Sequence, residues 1–269
     1  MKPSAHIVAA DIGNTSATIA EMRGLDVLAE FDVSSHAPAD DLAAVLRQKL
    51  PGSSLLPLVI ASVNPRGTEA LEAAWRSLGG NRVLQLGRDI KVPIENATSQ
   101  PERVGQDRLV NALAARARRG PEVLVVDFGT AITFDVVKQG SYRGGVITPG
   151  IGLAMEALHQ KTALLPLVRP QGRPPVIGTD TVSAINSGVF YGYIGLISNI
   201  LRELLATYET RPPVLATGGY GAHIAPEIAA IDEVLPHLTH EGIALSAAAV
   251  LQGAQPGVNL LKTPNNNRG

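Results

Sequence analysis

The chain has 269 residues, 45% of them apolar, enough for one large domain or two of ordinary size around a buried core. Its formal net charge of −1 gives no basic footprint for nucleic acid and no acidic tail, so any anionic ligand must be held by local geometry. It contains no cysteine, which excludes disulfides, thiolate metal sites and a Cys nucleophile.

The first apolar run, 6–10, reads as a strand ending at Asp11-Ile12-Gly13-Asn14-Thr15. Strands are predicted directly after it at 16–22 and 27–33, a hairpin start rather than a strand–helix–strand start. Residues 39–50 have helical spacing, with Leu42, Val45 and Leu46 on successive turns, and Pro51-Gly52 ends them. A buried-type strand at 58–63, a helix at 65–78 and a short strand at 82–86 follow. A polar loop at 93–101 leads to a helix at 106–118, closed by Gly120-Pro121.

The opening pattern then returns. A strand at 122–126 runs into Asp127-Phe128-Gly129-Thr130, with further strands at 131–137 and 142–147, the last interrupted by Gly144-Gly145. Next come a helix at 152–160, a Pro-rich extended stretch at 165–175, and a long helical region at 182–208 with Gly192 and Gly195 as candidate break points. A strand at 214–216 ends at Thr217-Gly218-Gly219. A helix, a short strand near Val234 and a helix at 242–251 complete the body. The order of elements predicts a duplication, with halves at 1–119 and 120–254, and 255–269 reads as a disordered tail.

No apolar run approaches the roughly 20 residues needed to span a bilayer. Asp11 interrupts the first apolar stretch before it reaches the length of a secretory core, so the expected location is cytoplasmic. His237 and His240 have a spacing that can suit a metal, but no carboxylate lies in register with them, and surface or structural roles are expected.

The first turn has the chemistry of a phosphate site. Gly13 lets the backbone turn tightly and approach a ligand, successive N–H groups form a concave anion site, and Asn14, Thr15, Ser16 and Thr18 add short donors. Asp11 cannot favour a phosphate directly and needs a cation; Mg²⁺ suits it, because that ion binds one or two carboxylates, waters and phosphates together. An ordinary hairpin uses the same residue types, so one turn alone leaves both readings open. Asp127, Gly129 and Thr130 repeat the pattern, and Thr217-Gly218-Gly219 adds a third glycine turn at a strand end, where α/β folds place ligands. There is neither a Walker A sequence nor a Gly-x-Gly-x-x-Gly after the first strand. Gly105-Gln106-Asp107-Arg108 opens a helix, whose free N–H groups and dipole favour anions. There Asp107 can accept a proton from a substrate hydroxyl and Arg108 can hold a carboxylate, although Asp in a first turn is also a common stabilising choice.

Together these stretches resemble the type III pantothenate kinases, members of the actin, sugar-kinase and heat-shock ATPase fold group. The resemblance rests on the turns at Asp11 and Asp127, Val104-Gly105-Gln106-Asp107-Arg108, and Gly144-Gly145-Val146-Ile147-Thr148-Pro149-Gly150. It extends to Thr162-Ala163-Leu164-Leu165-Pro166, Ile177-Gly178 with Thr181, and Thr217-Gly218-Gly219. It implies an α/β fold of duplicated ribonuclease-H-like, actin-type halves with mixed sheets and a nucleotide cleft between them. It also implies ATP-dependent phosphorylation of pantothenate's primary hydroxyl, the first step toward coenzyme A, in a homodimer.

By the family's pattern, Asp107 is the proton acceptor. Asp11, Ile12, Gly13, Asn14, Thr15, Ser16, Ala17, Thr18 and Thr130 contact ATP. Thr98, Gly105, Gln106, Asp107, Arg108 and Thr181 contact the acceptor. Asp11 serves Mg²⁺ through water, and Asp127 holds a monovalent cation, potassium or ammonium. Phosphoryl transfer demands little base strength, so an ordinary carboxylate suffices at Asp107. Family members often carry a Tyr at the position of Thr98. Two alternatives stay open: a non-catalytic transcriptional accessory protein that resembles these kinases, and a kinase of another small hydroxylated acceptor.

Overall fold

The computed structural model describes residues 5–169, 172–219 and 221–251. The expected tail at 255–269 lies outside them. The chain forms two compact units that are not consecutive halves. Of the described residues, one comprises those up to Ile94, Val104–Arg118 and those from Thr239 on. The other comprises Glu95–Arg103 and Arg119–Leu238.

The first unit opens with β1 (His6–Ile12), β2 (Ser16–Arg23) and β3 (Asp26–Ser34), an antiparallel meander. α1 (Ala39–Lys49), β4 (Leu58–Ser62), α2 (Pro65–Ser77) and β5 (Val83–Gln85) follow, and β4 and β5 join the sheet in parallel. The sheet order is β3-β2-β1-β4-β5. α1 carries Leu42, Ala43 and Leu46 on one stripe, and these pack with Leu71, Ala74 and Trp75 of α2 against Val8, Ala10, Ile19 and Ile60 of the sheet. α2 starts at an Asn-Pro signal: Asn64 Oδ1 accepts from Gly67 N at 3.1 Å, with Pro65 in the first helical position.

α3 (Gln106–Arg119) buries Leu109 to Ala115. The second unit then repeats the first with β6 (Val123–Phe128), β7 (Ala131–Lys138) and β8 (Ser141–Pro149), again antiparallel. α4 (Ile151–Lys161), α5 (Thr181–Leu205), β9 (Val214–Thr217), the short α6 (Gly221–Ile224) and β10 (Glu233–Val234) complete it. Its order, β10-β9-β6-β7-β8, matches the first sheet strand for strand, and β9 and β10 are parallel additions like β4 and β5. The duplicated, mixed-sheet α/β arrangement is therefore the expected one. α7 (Leu238–Leu251) is the last described element.

Four sequence expectations are corrected. β1 and β6 run past the end of their apolar runs through Asp11 and Asp127, because ladder pairing to β2 and β7 carries the aspartates along. β8 is not broken at Gly144-Gly145; a register shift between Asp135 and Val137 absorbs the extra residues, and Gly144 takes φ +98° to do so. α5 is continuous through Gly192 and Gly195. Asp180 and Ser183 close a reciprocal capping box at its start, and Val189, Ile197 and Leu201 anchor it in the second core. α5 is also long and apolar enough to cross a membrane by length and composition alone, a test that core helices of soluble proteins pass as well. Lastly, α7 begins at Leu238, ahead of the predicted 242.

Candidate active site

In the first unit, Asp11 and Thr18 face each other across the β1–β2 ladder, and the exposed Asn14, Thr15 and Ser16 form the turn between the strands. The turn is closed by Gly13 N donating to Ser16 O at 3.0 Å. Two side chains brace it from a distance. Ser35 Oγ donates to Gly13 O at 2.8 Å, and Asn64 Nδ2 approaches the same oxygen at 3.5 Å. Ser35 N also donates to Thr15 O, at 3.2 Å. Sequence reading missed both braces. The Asn-Pro helix start signals a cap at Asn64 but not its second contact, and nothing local marks Ser35.

The Gly105–Arg108 segment belongs to the same unit and lies close to that turn through β4. Val63 N donates to Ile12 O at 3.1 Å, and a Cβ built on Gly105 would lie 3.4 Å from Val63 Cγ1. The same Cβ would fall 2.3 Å from Asp107 Oδ1, so only glycine leaves room for that carboxylate. Asp107 Oδ1 accepts from Arg108 N at 2.8 Å. Burial pushes the Asp107 carboxyl above the ordinary aspartate range; the Arg108 amide and guanidinium offset only part of this. An ordinary carboxylate was expected here, and the difference is desolvation. Val63 also lines a pocket of about 330 Å³, together with Ser62, Asn64, Thr68, Gln85 and Arg88 among others.

α3 is held rigidly behind Asp107. The Gln106 side chain packs over Gly87, where a Cβ would come within 3.0 Å. Thr239 Oγ1 donates to Asn111 Oδ1 at 2.8 Å, and Arg118 pairs with Glu241 through two hydrogen bonds of 2.6 and 2.5 Å. His240, 4% exposed, places Nε2 3.2 Å from Thr18 O, tying α7 to the strand that leaves the turn. Among the described residues no three His, Asp or Glu side chains gather as a metal cluster.

In the second unit, Asp127 occupies the place in β6 that Asp11 occupies in β1. It pairs with Thr133 on β7 and Thr217 on β9. Register partners on neighbouring strands point to one face. Thr217 is 1% exposed, and its Oγ1 has no hydrogen-bond partner among the described residues. A carboxylate beside an orphaned hydroxyl is an oxygen donor set that fits a hard cation. The turn is packed through missing side chains. A Cβ on Gly218 (φ +88°) would lie 2.5 Å from Asp127 Oδ1, and one on Gly150 would lie 2.3 Å from Thr130 O. Gly150 N donates to Thr130 O at 2.9 Å, and Tyr193 Oη donates to Gly150 O at 3.1 Å.

Two other predicted acceptor residues belong to this unit. Thr181 is the exposed first residue of α5. Thr98 lies on the 95–101 loop, and its Oγ1 donates to Asn96 Oδ1 at 2.8 Å.

Comparison with known proteins places this geometry. The family model for type III pantothenate kinase matches residues 7–203. The chain is 38% identical over 248 residues to a type III pantothenate kinase of Dehalococcoides mccartyi, covering 89% of this chain and 96% of the relative. It is likewise 38% identical over 245 residues to one of Anaeromyxobacter dehalogenans, covering 88% and 96%. Among solved structures, a conserved putative Baf family transcriptional activator from Campylobacter jejuni superposes with a TM-score of 0.60 at 19% identity, over 91% of this chain and 98% of that one. The activator of the 2-hydroxyisocaproyl-CoA dehydratase from Clostridium difficile, solved with bound ADPNP, gives 0.51 at 14% identity, over 96% and 100%. At these identities the structural likenesses speak for the fold alone.

Proposed function

The chain belongs to the type III pantothenate kinase family, and on that premise we infer that it phosphorylates pantothenate with ATP, with Asp107 as the group that receives the hydroxyl proton. The observation that carries the assignment of Asp107 is its setting: a desolvated carboxylate at a helix N-terminus, in a space that Gly105 keeps open. A buried carboxylate with a raised pKa holds a proton more strongly than an exposed one and is better matched to taking it from an alcohol late in transfer.

The remaining roles come from position. The turn from Asp11 to Thr18 offers backbone N–H groups and short side-chain donors to phosphate oxygens, and the Ser35 and Asn64 braces keep those groups in place. Thr130 offers the corresponding turn in the second unit. Asp11 is the carboxylate suited to Mg²⁺ through water, and when bound that ion neutralises charge on the phosphates. Asp127 and Thr217 are suited to potassium or ammonium. Arg108 is suited to the pantothenate carboxylate. Thr98 lies on the acceptor's approach by the family's pattern, with its hydroxyl committed to Asn96.

The second unit also supports the homodimer. Ile147, Leu153, Leu164, Leu167, Val176, Ile177 and Val182 are each 44% or more exposed. Along α5, a Cβ on Gly188, Gly192 or Gly195 would meet nothing within 4 Å. Exposed apolar side chains in such number are the kind of surface that a second copy covers. Gly192→Trp fits the monomer and blocks close helix approach, so light scattering should report loss of the dimer with the fold intact. A dimer of unchanged stability would remove α5 from the interface.

One assay tests the reaction. Purified protein with ATP, Mg²⁺ and potassium is given pantothenate, and 4′-phosphopantothenate is scored by mass; product is expected, with turnover falling when sodium replaces potassium at constant ionic strength. ATP turnover with other acceptors only would point to a different substrate, and no turnover at all would point to an accessory protein. Indifference to the cation exchange would argue against the Asp127 cation site.

A further inference from the structure

The segment that precedes the catalytic helix is tied down by groups that the reaction does not use. Tyr142 and Asp135 are both 0% exposed, and Tyr142 Oη donates to Asp135 Oδ1 at 3.0 Å, with Thr133 Oγ1 donating to the other carboxylate oxygen at 3.2 Å. A buried carboxylate is costly unless its oxygens are satisfied, so this pair fixes the Tyr142 ring. The Tyr142 backbone then pairs outward. Its N donates to Glu95 O at 2.8 Å, and Ala97 N donates to its O at 2.9 Å. Asn96 and Tyr142 form a parallel bridge, and Ser141 Oγ donates to Glu95 Oε2 at 2.6 Å. Residues 95–97 are thus bridged to the start of β8.

Asn96 shapes the chain just beyond this bridge. Its Oδ1 accepts from Thr98 N at 3.2 Å and from Thr98 Oγ1 at 2.8 Å, and its Nδ2 donates to Pro101 O at 3.1 Å. One amide therefore spans the turn from 98 to 101. The turn sets Thr98 beside Gly144, where a Cβ would lie 3.6 Å from Thr98 Cγ2. After Arg103 the chain passes directly into Val104 and Gly105 and so to Asp107.

We propose that Tyr142 and Asn96 are positioning residues for the acceptor: Tyr142 anchors residues 95–97 as a strap on β8, and Asn96 sets the turn that presents Thr98 and feeds the Gly105–Arg108 segment. The proposal rests on reading that segment as the acceptor loop. It separates anchoring from chemistry. Loosening the strap degrades acceptor binding, and the phosphate turns at Asp11 and Asp127 share none of these hydrogen bonds.

Steady-state kinetics of Asn96→Ala and Tyr142→Phe test it, alongside amide hydrogen exchange at Ala97 and Thr98. For each variant the KM for pantothenate should rise about fivefold to tenfold, the effect of one net hydrogen bond, with KM for ATP held. Exchange at Ala97 and Thr98 should quicken. Asn96→Asp keeps the acceptor for Thr98 and loses the donor to Pro101, so it should restore part of the binding. Asn96 is only half-buried, and its variant folds even if Tyr142→Phe does not. An unchanged KM for pantothenate in Asn96→Ala, or an equal rise in both KM values, would overturn the positioning role. If the wild-type chain turns over no pantothenate, the assignment of the substrate has failed instead. Exchange then decides the strap alone, and unaltered protection at Ala97 and Thr98 in both variants would sink it.

Discussion

The two turns at Asp11 and Asp127 occupy equivalent places in two sheets of identical order, yet they are built differently. The first is held from below by side chains, Ser35 and Asn64, converging on the Gly13 carbonyl. The second is held by close backbone contact at Gly150 and Gly218, with no room for a methyl group. Their strand neighbours differ too. Asp11 sits beside Ala61, whereas Asp127 sits beside the buried hydroxyl of Thr217. Duplication supplied one scaffold twice; the difference on the neighbouring strand is what the proposal of a hydrated Mg²⁺ at one aspartate and a monovalent ion at the other rests on.

The largest expected effect lies outside both turns and sets the scale. Asp107→Asn should lower kcat by about 10² to 10⁴ while leaving ATP affinity nearly unchanged, measured by kinetics and nucleotide titration. Near-normal turnover would end the assignment. The same substitution should raise the melting temperature at neutral pH. The Asp107 carboxyl has a raised pKa in the fold, so the folded chain binds the proton more tightly than the unfolded chain. Stability linked to this group is fully present below the unfolded pKa and is lost as pH rises through the folded one. The gain from Asn should therefore shrink in acid. For the same reason, activity should rise with pH through a value above the ordinary aspartate range.

A smaller pair of effects breaks or sharpens the contrast between the turns. Gly218→Ala forces a Cβ against Asp127 and Phe128 at φ +88°, and should cost more than about 2 kcal/mol of stability by denaturant titration. Ser35→Ala removes one hydrogen bond from the first turn, and should cost about 1 kcal/mol, read as a several-fold higher KM for ATP. If both variants behave alike, the two turns are held by the same means after all.

The paired turns were legible in the sequence because their signal is local: an apolar run, then Asp, Gly and a hydroxyl residue within a few positions. The Gly105–Arg108 helix start was legible for the same reason. What supports them was not. Ser35 reaches Gly13 from the end of β3, and Asn64 reaches it from the start of α2, so neither has a pattern of its own. Gly192 and Gly195 look like helix breakers in isolation, but each costs only about 1 kcal/mol in a helix interior. The buried face of α5 outweighs that. Desolvation of Asp107 depends on how the fold packs around the start of α3, which spacing cannot reveal.

The last described helix carries a consequence for how the chain is made. α7 belongs to the first unit: Gly242 packs directly on the Val110 backbone, Glu241 takes Arg118, Thr239 takes Asn111 and His240 meets Thr18. During synthesis from the N-terminus, the unit that emerges first must wait for the helix that emerges last. The second unit, whose segments are all made before α7, can finish sooner. A released chain ending at Leu238 would hold every segment of the second unit and an open first one, with α3 still lacking the helix that packs on it.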